Sequence, residues 1–167
     1  MNNKKVIYFV EGDCEKQLIN ALKKTPSLLK PGRVEVRNPV SKAFTKDLIR
    51  TLAPGTDLVL VFDIDVNDTS ILSKNIENLK RYNANYGIIT ILQVVNFEDE
   101  IVRSTDIKHP EDLTKSKSYK NFKTDFIHAS DCRSLLDNHG FDINKLWVKE
   151  ANNQFSIFKQ MSKLIKL

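Results

Sequence analysis

The amino-acid sequence predicts an α/β protein, with a mainly parallel four-stranded sheet flanked by helices and then a mainly helical C-terminal part. Three observations predict this fold. Apolar runs of strand length recur along residues 4–100, segments of helical periodicity lie between them, and the connections are short. Strands buried on both faces read as continuous apolar runs, and their alternation with helices is typical of a parallel sheet covered by helices.

Four segments are predicted to be strands. Three are largely apolar and are expected to be buried on both faces: Val6–Val10, Leu58–Phe62 and Gly87–Val95. The fourth, Arg33–Arg37, alternates charged residues with valines, which predicts a short strand with one polar side. Right-handed crossovers are expected between parallel strands of one sheet.

Helices are predicted wherever apolar residues recur every three or four positions. Those between the strands are Asp13–Lys24, Ser41–Leu52 with Ser41 as its N-cap, and Thr69–Tyr82. Those after the last strand are Phe97–Ser104, Tyr119–His128, Asp131–Asn138 and Ala151–Leu167. We therefore expect an α/β core over residues 1–105 and a helical extension over residues 106–167, packed together as one domain.

Composition agrees with an ordinary globular protein, since 41% of the 167 residues are hydrophobic and 28% are charged. The chain has no apolar run long enough for a membrane span, and the apolar stretch near its start is too short for a signal peptide. We expect a cytoplasmic protein that does not bind membranes. The formal net charge of +5 permits a polyanionic partner such as nucleic acid without requiring one.

Cysteine and histidine spacing gives no sign of a zinc site. Cys14 and Cys132 form no CxxC pair, and the three histidines are scattered along the chain. A free thiol on a helix is the ordinary interpretation of Cys14, and the lone Trp147 is expected in the core.

Acidic residues follow each of the three buried strands: Glu11 after the first, Asp63 and Asp65 at the second, and Glu98 after the third. The carboxyl ends of parallel strands share one edge of a sheet, where ligands of open α/β folds bind. Carboxylates held close together repel one another, and a divalent cation that prefers oxygen ligands would relieve that repulsion. The alternative is that these acids are solvated loop residues.

The turn after the first strand has features of its own. Gly12 would allow a tight strand-to-helix turn, and the following helix would direct its amino end, which favours anions, toward the site. Glu15, one turn into that helix, would face the same cleft or would simply interact with the helix dipole.

The segments Val10–Lys16 (VEGDCEK) and Val61–Asp65 (VFDID), in this order, resemble the motifs of the Toprim domain, the catalytic module of topoisomerases, bacterial primases and several nucleases. The family pattern is a glutamate at the end of the first strand and a DxD at the end of the third, which here gives Glu11 and Asp63/Asp65. The E-G-x-x-E form and the later Asn-Phe-Glu are most similar to Toprim nucleases of the overcoming-lysogenization-defect type and related anti-phage proteins.

The resemblance implies a Rossmann-like core and Mg²⁺- or Mn²⁺-dependent cleavage of DNA or RNA. The expected metal ligands are Glu11, Glu15, Asp63, Asp65 and Glu98. The expected catalytic residues are Glu11, Asp63, Asp65 and Lys149. Glu11 would be a general acid or base or a metal ligand, and Lys149, with Lys16 as second choice, would contact the nucleic-acid backbone.

The absence of an ATP-binding motif suggests a partner protein, and the short DxD motif leaves two alternative functions open. No GxxxxGK[ST] segment is present, so an ATPase partner would be encoded separately. One alternative function is a non-catalytic subunit that binds metal or nucleic acid within a larger complex. Another is a DxD phosphatase, in which Asp63 would be the nucleophile.

Overall fold

The computed structural model describes residues 4–82 and 85–167, so residues 1–3 and 83–84 of the predicted 1–105 core lie outside the described part. Four strands form one sheet, and every neighbouring pair is parallel. Numbered along the chain, they are β1 (Val6–Val10), β2 (Arg33–Val36), β3 (Asp57–Asp63) and β4 (Gly87–Gln93). Their order across the sheet is β2–β1–β3–β4. The predicted fold class is confirmed.

Seven helices were found in the described residues. They are α1 (Asp13–Leu22), α2 (Lys46–Thr51), α3 (Ser70–Tyr82), α4 (Phe97–Ser104), α5 (Pro110–Thr114), α6 (Tyr119–Ile127) and α7 (Cys132–Asp137). The strands and five of these helices lie within two residues of their predicted limits. Helix α5 was not predicted.

Both faces of the sheet are covered, because successive side chains of a strand point to opposite sides. Tyr8 of β1 belongs to the larger core cluster, which α1, α4, α6 and α7 cover. Its neighbour Phe9 belongs to the cluster on the other face, which α2, α3 and the buried Phe155 cover. The larger cluster also holds Trp147, which is fully buried as predicted.

The register aligns the carboxyl ends of the strands along one edge. Val10 of β1 lies beside Val61 of β3, and Asp63 at the end of β3 lies beside Gln93 at the end of β4. Residues that immediately follow β1, β3 and β4 therefore meet at the same edge.

The predicted helix Ser41–Leu52 is wrong in its first half. Helix α2 begins only at Lys46, and Thr45 caps it by accepting a hydrogen bond from the backbone N–H of Leu48. The reason is a buried asparagine of α3. The Asn75 side chain accepts from the N–H of Phe44 at 2.7 Å and donates to two carbonyl groups of the preceding loop, so its contacts replace helical hydrogen bonds.

The predicted helix Ala151–Leu167 is also wrong. The segment contains two 3₁₀ turns, Gln154–Ile157 and Ser162–Leu164, and between them it runs along the outer edge of β4. The N–H of Met161 donates to the Thr90 carbonyl at 3.0 Å, and the Gln160 amide bonds both backbone groups of Leu92. Covering an otherwise open strand edge outweighs the helical periodicity of the segment.

The structure bears on two expectations from the sequence, one about the cysteines and one about membrane spans. Cys14 and Cys132 are buried free thiols, and burial raises the pKa of each to about 12, which makes both unreactive. Within residues 4–82 and 85–167, no helix combines the length and the apolar character needed to cross a bilayer.

Candidate active site

The acids at the carboxyl edge of the sheet are joined through backbone and amide groups. Asp63, the last residue of β3, is only 7% exposed, and its backbone N–H donates to Glu11 Oε2 at 3.1 Å. Gln93 Nε2 donates to Asp63 Oδ1 at 2.5 Å and to Glu15 Oε1 at 3.0 Å. One amide and one backbone N–H thus hold three carboxyl groups together.

Burial and crowding of these carboxyl groups raise the pKa values of Asp63 and Glu11. Burial raises the pKa of Asp63 to about 8, with further contributions from the negative charges of Glu11, Glu15 and Asp65, while the Gln93 hydrogen bond opposes the rise. Burial likewise raises the pKa of Glu11, although the bond from the Asp63 backbone opposes it. Both pKa values are raised because burial and the neighbouring carboxylates destabilise the ionised form of each acid. A bound cation would stabilise that ionised form.

Glu15 is held by the start of α1. Its Oε2 accepts from the N–H of Gly12 at 3.0 Å, which is half of a capping box, and its Oε1 reaches Gln93 as described. The strand-to-helix turn is tight as predicted, since α1 begins three residues after the last residue of β1, but it does not need the freedom of glycine, because Gly12 has ordinary extended backbone with φ −152°. A Cβ there would meet Glu15 Oε2 at 3.4 Å, which is van der Waals contact.

Asp65 lies two residues beyond the end of β3 and is exposed. The C-terminal segment holds its loop, since Asn153 Nδ2 donates to the Ile64 carbonyl at 3.1 Å and Gln154 Nε2 donates to the Val66 carbonyl at 3.0 Å. Asp63 and Asp65 both line the same cleft.

Glu98 reaches the cleft from the first turn of α4. Asn96 caps this helix by accepting from the N–H of Asp99 at 3.0 Å, and Glu98 is 3% exposed. Lys123 of α6 approaches it, with Nζ 3.1 Å from Glu98 Oε1. Burial would lower the pKa of Lys123, but its hydrogen bond to Glu98 and the nearby carboxylates raise it above the ordinary value, so the ammonium stays charged.

A cleft of about 400 Å³ opens over these groups. Its lining consists of Asp63, Asp65, Asn96, Glu98, Tyr119, Lys120 and Lys123. Carboxylates therefore form one part of the lining, and the first turns of α6 add two lysines and an aromatic ring. Glu11 and Glu15 are close enough to Asp63 for their negative charges to raise its pKa.

The predicted basic residue Lys149 is not part of this lining. Lys149 is exposed, and its carbonyl accepts from Gln160 Nε2 at 3.1 Å, which fixes its backbone beside the edge of β4. Lys16 is also exposed and outside the lining. The lysines that line the cleft are Lys120 and Lys123, so the structure does not bring the predicted Lys149 into this lining.

Gln93 and Lys123 are among the residues of the site that were missed from the sequence. Gln93 is a fully buried amide at the end of an apolar strand, a polar exception that could have marked it. Lys123 gave no signal, because nothing in the helical pattern of residues 119–128 tells which lysine faces a carboxylate far away in the chain.

The cleft is lined both by carboxylate oxygens, which can bind a cation, and by lysine ammonium groups, which can bind an anion. Across the described ranges 4–82 and 85–167, however, no three His, Cys, Asp or Glu side chains are grouped to hold a metal ion as they stand. No protein family, curated protein or solved structure gives a significant match to this chain.

Proposed function

We propose that the protein is a divalent-metal-dependent nuclease of the Toprim type, which hydrolyses phosphodiester bonds at the cleft above the carboxyl edge of the sheet. The observation that supports this most strongly is Asp63. It is a buried carboxyl group with a pKa of about 8, surrounded by three further acids beside a cleft that carries two lysines. Perturbed acids in a cleft favour a functional site over a structural one.

The donor set fits Mg²⁺ or Mn²⁺. These ions prefer oxygen ligands and bind through one or two carboxylates together with water and phosphate oxygens. Asp63 and Asp65 both face the cleft and would be those ligands, and Glu98 lines the same opening. A bound ion would polarise the phosphate and lower the pKa of an attacking water.

The chain's own residues have separate tasks in this proposal. Lys120 and Lys123 would bind phosphate groups next to the bond that is cut, which gives affinity without sequence specificity. Glu11 would move the proton of the attacking water, because its raised pKa brings it nearer to neutral pH than an ordinary glutamate. Glu15 and Gln93 would keep Asp63 and Glu11 in position through the hydrogen bonds described above.

The biological setting is proposed from the motif resemblance. The order of the E-G-x-x-E and DxD motifs supports a role in anti-phage defence together with a separately encoded ATPase. The two alternatives remain outcomes of the test: a partner subunit without activity of its own, or a phosphatase that forms a phospho-aspartate at Asp63.

Cleavage assays test the proposal. Supercoiled plasmid and single-stranded RNA would be incubated with the protein and Mg²⁺ or Mn²⁺, alone and with the ATPase encoded beside its gene. We expect metal-dependent nicking, and Asp63→Asn should lower it at least about a hundredfold. Asp68→Asn is the matched control, since Asp68 lies in the same loop, outside the lining, where it caps α3 through Ser70.

Undiminished cleavage by Asp63→Asn would contradict the proposal. Nicking that persists in EDTA would contradict it as well, because hydrolysis would then not need the ion. A covalent phosphate trapped on Asp63 would favour the phosphatase.

A further inference from the structure

The opening of the cleft carries an exposed aromatic ring among charged groups. Tyr119 begins α6, is 52% exposed, and lines the cleft together with the carboxylates of Asp63 and Asp65. A half-exposed ring beside lysines is the arrangement with which proteins bind single-stranded nucleic acid: the ring stacks on a base and the lysines follow the backbone.

Helix α6 is fixed firmly enough to present this ring. Phe122 and Phe126 are fully buried, and both rings pack against Phe97 of α4, with centroids 6.4 and 5.4 Å from it. At the far end of the helix, Gln17 of α1 donates to the Ala129 carbonyl at 2.9 Å. The ring therefore stands on a rigid support, which lowers the entropic cost of stacking.

The lysines of α6 lie on the side next to the ring. Tyr119 and Lys123 are four residues apart, which places them one above the other on a helix, and Lys120 follows on the adjoining side. Both lysines are exposed and line the cleft, and Lys123 Nζ lies 3.1 Å from the buried Glu98 Oε1. Base-stacking and phosphate-binding groups thus line the same cleft as the carboxylates.

On the basis of the nuclease function proposed above, we infer that α6 binds a single-stranded segment of nucleic acid, with a base stacked on Tyr119 and its flanking phosphates on Lys120 and Lys123. In a duplex both faces of each base are covered by neighbouring bases, so the ring of Tyr119 has nothing to stack on. The preferred substrate is accordingly single-stranded DNA or RNA, or a frayed end, rather than intact duplex.

Binding measurements on a variant that cannot cut test this inference. In the Asp63→Asn background with Mg²⁺, fluorescence anisotropy would follow labelled dT12, rU12 and a blunt-ended duplex without a loop. Adding Tyr119→Ala should weaken single-strand binding about tenfold, within the range for one base–aromatic stack. Tyr119→Phe, which keeps the ring, should retain the affinity within about twofold, and duplex binding should be weaker and unaffected by either change.

Two controls separate stacking from other effects. Tyr82 on α3 is 49% exposed and does not line the cleft, so Tyr82→Ala should leave the affinity unchanged. Lys120→Gln should weaken binding to both oligonucleotides and reduce the slope of the salt dependence by about one charge. Comparing dT12 with rU12 tells which of the two nucleic acids is preferred.

Equal affinity of the Tyr119→Ala and parent proteins for both oligonucleotides would overturn the inference, as would absence of single-strand binding. Tighter duplex binding that also depends on Tyr119 would overturn it too. If wild-type protein binds single strands through Tyr119 yet cuts nothing, the proposed nuclease function fails and the binding site stands. If the wild-type protein cuts but Tyr119→Ala binds normally, the nuclease function stands and the binding site on α6 fails.

Discussion

At the scale of single residues, Gln93 and Asp63 determine how the acids of the candidate site are arranged. The Gln93 amide is the donor that lets Asp63 and Glu15 approach one another at the end of the sheet. Its own oxygen is 3.4 Å from Trp147 Nε1, so the amide is oriented from both sides. A carboxylate in its place would add negative charge to the group and remove this donor.

The acids could be predicted from the sequence, whereas the residues that modulate them could not. Glu11, Asp63 and Glu98 each follow an apolar run, and a parallel sheet brings such positions together by its topology. Gln93 belongs to an apolar run, and Lys123 is recognisable only once α6 is docked on α4. Contacts of this kind depend on tertiary packing and leave no local pattern.

The raised pKa of Asp63 predicts a pH-dependent stability. Its folded pKa of about 8 lies above the ordinary aspartate value of 3.8, so the folded state binds the proton more tightly than the unfolded state does. The stability that this tighter proton binding contributes is fully present below a pH of about 4, and it is lost as the pH rises toward 8. Relative to wild type without metal, Asp63→Asn should therefore be more stable at pH 8, by on the order of 2 kcal/mol, with a smaller difference at pH 5.

Urea unfolding of both proteins at the two pH values measures this effect. Asp68→Asn serves as the control for loss of a carboxylate in the same loop. A difference between wild type and Asp63→Asn that stays constant from pH 5 to pH 8 would mean that Asp63 titrates normally.

At the scale of elements, the outcome of each prediction follows from where its contacts lie. Strands β1, β3 and β4 were predicted well because burial on both faces leaves a continuous apolar run. The segment Ala151–Leu167 was predicted poorly because its structure depends on the edge of β4, to which it is bonded. Residues 41–45 likewise follow Asn75 rather than their own helical pattern.

The contacts of Gln160 with the edge of β4 predict an effect on stability. Gln160 accepts from the N–H of Leu92 at 3.3 Å and donates to its carbonyl at 2.6 Å, replacing a missing neighbouring strand. Gln160→Leu leaves both groups without this partner and should lower the free energy of unfolding by about 1–3 kcal/mol. Lys159→Gln is the control, since Lys159 is exposed and only its carbonyl bonds Thr90. Equal unfolding midpoints for the two variants in urea would refute this role of the amide.

The anchor of the Asp65 loop makes a prediction for metal binding. Asn153 donates to the Ile64 carbonyl and also accepts from the N–H of Phe155 at 2.9 Å. Asn153→Ser keeps an acceptor for the 3₁₀ turn but removes the donor that holds the loop. We expect about tenfold weaker Mn²⁺ binding, as for other residues that orient ligands, with an unfolding midpoint close to that of wild type. Unchanged Mn²⁺ affinity in a calorimetric titration would show that the loop needs no anchor.

At the scale of the whole molecule, the candidate site is assembled from distant parts of the chain. The ends of β1 and β3 and the turns after them supply Glu11, Asp63 and Asp65, whereas α6 supplies the lysines and Tyr119. The two parts share the larger core cluster, in which the phenylalanines of α4 and α6 pack on each other. The sequence predicted the acidic half from topology, while the basic half depends on how the helices dock on the sheet.

The central claim is that the acids at the edge of the sheet bind one or more divalent cations. Isothermal titration of Mn²⁺ into the wild-type protein at pH 8 tests it most directly, with Asp63→Asn, Asp65→Asn and the control Asp68→Asn beside it. We expect saturable binding to wild type and Asp68→Asn, at least tenfold weaker binding to the other two, and weaker binding to wild type at pH 5, because protons compete for the carboxylates. Equal Mn²⁺ affinity in all four proteins, or none in the wild type, would contradict the claim.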